Sequence, residues 1–144
     1  MKKALSVLGL LILAACGSSQ QNSGPSVAIH LVPLSTSSDI YYFSGPINLQ
    51  YQLSIANPTN QQIKLRRLEL QTIGSGAYAI RNTSNTMNVT IPPNSTSTFT
   101  ISVWGYSRGG YMRSTEPVTI RGIGYFDAPS GAFIRMFTEN ISPM

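Results

Sequence analysis

From Ile47 to Ile55 apolar and polar residues alternate without a miss: Ile47, Leu49, Tyr51, Leu53 and Ile55 on one parity, Asn48, Gln50, Gln52 and Ser54 on the other. Successive side chains of a strand point to opposite faces, so this stretch is a strand with one face in a core and the other in water. A helical period would scatter the same residues around the axis. Asn57-Pro58-Thr59-Asn60 closes the run, because proline cannot donate to a ladder and asparagine favours turns.

The next run carries a break in phase. Ile63 and Leu65 begin on one parity, while Leu68 and Leu70 continue on the other. All four reach the same core only if one extra residue is inserted at Arg66-Arg67, as a β-bulge does. Gly74-Ser75-Gly76 ends this strand. Alternation returns at Met87, Val89 and Ile91 before Pro92-Pro93-Asn94, and again at Phe99, Ile101 and Val103. Val118 to Phe126 and Phe133 to Phe137 are two further runs, separated by the turn residues Asp127 to Gly131, and Val27 to Val32 forms an initial strand before Pro33. Seven runs with turns at short intervals predict an all-β fold, an antiparallel immunoglobulin-like sandwich over residues 27–142. A chain of 144 residues holds one such domain, and 42% hydrophobic against 10% charged residues fits a packed, turn-rich fold. Gly122-Ile123-Gly124 lacks the third glycine of a dinucleotide fingerprint and reads as a bent strand.

The stretch from Leu49 to Val103 resembles the late-embryogenesis-abundant type 2 (water-stress and hypersensitive-response) domain. The likeness rests on "LSIANPTNQQIKLRRLEL" followed by "VTIPPNSTSTFTISV": an Asn-Pro after one strand, an apolar strand next, then a Pro-Asn turn before a Thr-rich strand. It covers somewhat under half of the chain that follows Cys16. The resemblance implies a seven-stranded sandwich without an established catalytic site.

The amino-terminal residues carry an address. Lys2 and Lys3 precede an apolar run from Ala4 to Leu13, then Ala14 and Ala15, the three-part layout of a secretory signal peptide over residues 1–15. That run is too short to cross a bilayer, which takes about 20 residues. Leu13-Ala14-Ala15-Cys16 resembles the lipobox of bacterial lipoproteins, which implies cleavage before Cys16 and its acylation. The competing reading is an ordinary signal peptide with an unmodified cysteine. Cys16 is the chain's single cysteine, so an intrachain disulfide is excluded. Multiple acyl chains on one cysteine give a stable membrane anchor, since each buried methylene contributes about 0.8 kcal/mol. Gly17 in place of an aspartate implies, by the family's sorting pattern, the outer membrane where the envelope has two. Residues 16–26, acylated Cys16 and the polar "GSSQQNSGPS", form a flexible linker whose ten polar positions reach roughly 30 Å when stretched.

Charge and chemistry narrow the function classes. The formal charge of +5 includes Lys2 and Lys3; without them eight basic residues face five acids, leaving +3. Those basic residues are spread along the chain rather than clustered, so no nucleic-acid partner is expected. The acids are Asp39, Glu69, Glu116, Asp127 and Glu139, and the only histidine is His30, which alternates outward in its strand. No metal-ligand spacing occurs, and the outward His30 is the only histidine a triad could use, so no cofactor and no metal are expected, and the chain reads as noncatalytic. Glu116 and Asp127 bracket one strand, leaving a hydrolase only as a weak third class. The Asn-x-Ser/Thr sequons at Asn82, Asn88, Asn94 and Asn140 read as compositional in a bacterial chain.

The candidate binding site is the connection "GYSRGGYMRSTEP", residues 105–117. It carries Tyr106, Arg108, Tyr111 and Arg113, with Trp104 at its start and Gly109-Gly110 as a pivot. Tyr, Trp and Arg dominate binding hot spots, and sandwich folds display them on end loops. The alternative is that Trp104 and Tyr111 cover the core edge while the arginines are solvated. The expected function is therefore a membrane-anchored envelope lipoprotein acting as a binding or assembly module for a protein partner. A carbohydrate or glycolipid binder using Tyr41-Tyr42-Phe43 or Trp104-Tyr106 is the second reading.

Overall fold

The computed structural model describes residues 24–35, 43–110 and 116–142. Cys16, the signal segment, Asp39, Tyr41, Tyr42, Tyr111 and Arg113 lie outside the described residues. The strands are β1 (Ala28–Ser35), β2 (Ser44–Asn57), β3 (Ile63–Ile73), β4 (Tyr78–Ala79), β5 (Thr83–Ile91), β6 (Ser95–Arg108), β7 (Val118–Ala128) and β8 (Gly131–Ile141). They form two four-stranded sheets, β1-β2-β6-β4 and β5-β3-β7-β8, antiparallel throughout. Among the described residues there is no helix. The expected all-β sandwich is what the chain forms, with eight strands where seven apolar runs were legible.

The alternating residues of β2 enter the core as their parity demands: Ile47, Leu49, Tyr51, Leu53 and Ile55 are all buried. Full burial of each such side chain contributes about 1.5–3 kcal/mol. The Tyr51 hydroxyl donates to that of Tyr78 at 2.7 Å, so the two phenols satisfy each other inside the core.

The phase break in β3 is a bulge. Against β7 the register steps from Leu65↔Phe126 to Arg67↔Tyr125, so Arg66 is the inserted residue, and Ile63, Leu65, Leu68 and Leu70 are all buried. The stagger continues outward. Against β5 the register steps from Leu65↔Val89 to Arg67↔Thr86, which gives β5 one residue more again. Asn88 takes up that excess with φ of 51°, a left-handed conformation that asparagine tolerates. Asn94 holds φ of 49° in the turn after Pro92-Pro93. Two of the Asn-x-Ser/Thr positions are thus backbone devices.

Gly122 and Gly124 in β7 are close-approach positions. A Cβ on Gly122 would lie 2.1 Å from the Phe137 ring, and one on Gly124 would lie 2.6 Å from Phe126. Phe126 in turn stacks on Phe133 with centroids 5.1 Å apart. One seam between the sheets is closed by polar links. His30 Nδ1 and Glu139 Oε1 are 3.0 Å apart, and Arg135 Nε donates to the Pro25 carbonyl at 3.0 Å.

Candidate binding face

Trp104, Tyr106 and Arg108 do not sit in a loop. β6 runs to Arg108 because its last turn of sequence is paired on both sides: Gly45, Pro46 and Ile47 of β2 oppose Ser107, Tyr106 and Gly105, while Tyr78 and Ala79 of β4 oppose Ser107 and Tyr106. The expected connection of residues 105–117 therefore begins only at Gly109. Gly109 and Gly110 both have positive φ, 63° and 91°, which accords with a pivot. A Cβ on Gly109 would meet the Ser44 nitrogen at 2.9 Å, so glycine is required there on two counts.

Strand alternation then decides where the aromatic rings point. Val103 and Ser107 face inward and are buried, so Trp104 and Tyr106 stand side by side on the outer face. Trp104 is 66% exposed and Tyr106 51% exposed, which overturns the alternative that Trp104 covers the core edge. Phe43, 69% exposed, immediately precedes β2. Trp104 lies opposite Asn48 and Tyr106 opposite Pro46. Ser102 Oγ donates to Asn48 Oδ1 at 2.8 Å, and Ser44 Oγ donates to the Tyr106 hydroxyl at 3.4 Å. Gly105 sits between the rings with its inner side against Leu49, where a Cβ would approach to 2.8 Å. Arg108 bends to the neighbouring turn, its Nη2 donating to the Gly74 carbonyl at 3.4 Å. The patch is an outer strand surface of Pro46, Trp104 and Tyr106, bordered by Ser44, Asn48, Ser102 and Arg108.

Of the four described acids, Glu116 lies at the end of the candidate connection, its carbonyl accepting from Ala77 N at 3.4 Å, and the other three lie elsewhere. Asp127 pairs with Arg66 at 3.3 Å, Glu69 with Arg67 at 3.3 Å, and Glu139 with His30. Arg67 also lies 4.0 Å over the Tyr125 ring, whose hydroxyl donates to Glu69 at 3.1 Å. His30 is thus a link between β1 and β8, and Glu69 the centre of an ion-pair and phenol network on the outer face of the other sheet. A pocket of about 80 Å³ beside Glu69, Gln71, Asn82 and Arg121 falls far below the ~300–1,000 Å³ of small-molecule sites. A wider hollow of about 390 Å³ at Asn57, Pro58, Asn94 and Thr96 has no charged or aromatic lining.

Comparison with known proteins adds architecture. The chain matches no family model and no curated protein. Among solved structures it is similar to a protein assigned to the late-embryogenesis-abundant class, with a TM-score of 0.51, 11% identity, and coverage of 78% of this chain and 68% of that one. It is also similar to a protein from Archaeoglobus fulgidus, with a TM-score of 0.49, 11% identity, and coverage of 78% and 91%. The first likeness is at the level of fold, and it is the fold that the Asn-Pro and Pro-Asn segments implied.

Proposed function

We propose that this chain is a cell-envelope lipoprotein, anchored by acylated Cys16, whose sandwich is a noncatalytic binding or assembly module for a protein partner. The observation that carries the binding reading is the pair of exposed rings, Trp104 and Tyr106, on the outer face of β6. Large exposed aromatics are the side chains that anchor protein interfaces, and an open strand face suits a protein better than the enclosing cleft that small ligands need. The address segment and the polar linker before Gly24 support the anchored placement, in the outer membrane where there are two. A second reading, a carbohydrate or glycolipid ligand, draws on the amide of Asn48 and the hydroxyl of Ser102 beside the Trp104 ring.

The test is site-specific photo-crosslinking of the full acylated chain in native membranes, with the photoreactive residue at position 104 or, for comparison, at Ser84 on the exposed side of β5. A discrete protein adduct from position 104 alone is expected. Adducts at neither position, together with retention on immobilised glycans, would replace the protein reading with the second one.

A further inference from the structure

We infer that the free edge of β6 pairs with the same edge of a second copy, making a symmetric dimer with one continuous sheet. Unpaired strand edges invite another strand, and soluble folds protect them with prolines, bulges, charges or covering segments. Three of the four edges here are protected. β1 contains Pro33 and a register shift between Pro33 and Ser35. β5 contains the Asn88 irregularity. β8 points Arg135 and Glu139 toward the sheet interface, and Arg135 ties the Gly24 and Pro25 carbonyls across it.

The fourth edge differs. β4 pairs only with Tyr106 and Ser107, after which the chain leaves for the other sheet, where Thr72 N donates to the Ile80 carbonyl at 3.0 Å. Among the described residues, no strand then covers β6 from Ser95 to Gly105 on that side. This segment, "STSTFTISVWG", has no proline, no charge and no register shift.

Backbone geometry shows which groups are free. Arg108 N donates to the Ala77 carbonyl on the β4 side, so residues of the same parity, Thr96, Thr98, Thr100, Ser102 and Trp104, turn their N–H and C=O groups to the open edge. The middle one is Thr100. An antiparallel pairing with Thr100 on the two-fold axis sets Thr98 opposite Ser102 of the second copy and Thr96 opposite Trp104. On the inner side the same register sets Phe99 opposite Ile101. On one face these are hydroxyl pairs at Thr100 and at Thr98–Ser102 with Thr96 against the Trp104 ring, and on the other an aromatic with a β-branched residue, the cross-strand combinations that favour sheets, and no like charges meet. A self-complementary patch of this kind is what a two-fold interface requires. The strands run in opposite directions across the axis, so the Gly24 ends of the copies lie at opposite ends of the joined sheet. If both copies are anchored through Cys16, the dimer rests with its strands along the bilayer.

The test uses the full acylated chain in density-matched detergent, read by sedimentation equilibrium. A reversible monomer–dimer equilibrium is expected. Thr98→Pro removes an N–H that faces the open edge and, within the chain, only the exposed 3.5 Å contact of its hydroxyl with Ser54 Oγ, so the sandwich persists while the dimer weakens by about tenfold. Thr100→Lys and Thr100→Glu, both at an exposed position, each weaken it by about fivefold because like charges then face each other on the axis. Mixing those two variants restores the dimer. A wild type that stays monomeric, a dimer indifferent to the charge at position 100, or a mixture that fails to recover overturns the pairing.

Discussion

Asn57 Nδ2 donates to the Pro92 carbonyl at 3.0 Å, joining two turns that lie 35 residues apart in the chain. The same amide donates to the Gln61 carbonyl at 2.8 Å, and its Oδ1 accepts from the Thr59 N–H and hydroxyl at 3.2 and 2.7 Å. Asn94 N, from the second turn, donates to the Thr59 carbonyl at 2.9 Å. The Asn-Pro and Pro-Asn segments that carried the family resemblance are therefore two halves of one hydrogen-bonded knot at the end of the sandwich.

That knot predicts a sharp dependence on the amide. Asn57 is 1% exposed, so its removal takes several hydrogen bonds out of the interior at once. Asn57→Ala and Asn57→Asp should each lower stability by about 2–3 kcal/mol, whereas Asn60→Ala, at an exposed position, should change it by about 0.5 kcal/mol or less. Urea denaturation with an unchanged m-value checks this.

The bulge predicts that deletion and substitution at Arg66 differ. Arg66 is half exposed and its pair with Asp127 is a surface contact, so Arg66→Ala should cost less than about 1 kcal/mol. Deleting Arg66 instead removes the inserted residue: Ile63, Leu65, Leu68 and Leu70 then alternate regularly and keep their facing, but the bend of β3 and its stagger against β5 are lost. That deletion should cost more than the substitution, on the order of 1–3 kcal/mol. Circular dichroism and thermal melting of the two variants decide it; a deletion that melts with the wild type contradicts a structural need for the bulge.

Parts of this architecture were plain in the residues, and parts were not, for physical reasons. The β2 alternation and the β3 slip were legible because each inward position is a large apolar residue. β6 was legible only from Phe99 to Val103; its first residues are Ser and Thr, which form strands without marking a face, and its last pairs are fixed by partners distant in sequence. β4 left no periodic trace in its two residues. Trp104 and Tyr106 were identified as candidates, yet their exposure and their neighbours Asn48 and Pro46 depend on the β2–β6 register, which no local pattern encodes.

The buried phenols predict an alkaline limit. Burial raises the Tyr51 pKa far above its ordinary value of 10, reinforced by Tyr78; burial likewise raises that of Tyr78. The folded state thus keeps both protons where the unfolded chain releases them. Their contribution is complete below about pH 10 and is lost as pH rises above it, at about 1.4 kcal/mol per pH unit for each phenol. Tyrosinate absorbance should show two of the seven tyrosines silent until the fold is lost, and Tyr51→Phe should reduce the slope of stability against pH.

The anchor predicts that Cys16→Ala abolishes both fatty-acid incorporation and membrane retention while leaving the sandwich folded, since the described fold begins at Gly24. Metabolic labelling with an alkyne fatty acid, followed by fractionation, reads both. Label on the Ala variant, or its unchanged recovery with membranes, removes Cys16 as the attachment point.

The most direct measurement is the affinity of the photo-crosslinked partner for the Trp104→Ala and Tyr106→Ala variants, with melting recorded alongside. Both side chains are exposed, so thermal midpoints should stay near wild type. Truncation of a hot-spot ring costs about 2 kcal/mol or more, so affinity should fall by roughly thirtyfold in at least one variant. Wild-type affinity in both variants would contradict the outer face of β6 as the binding surface.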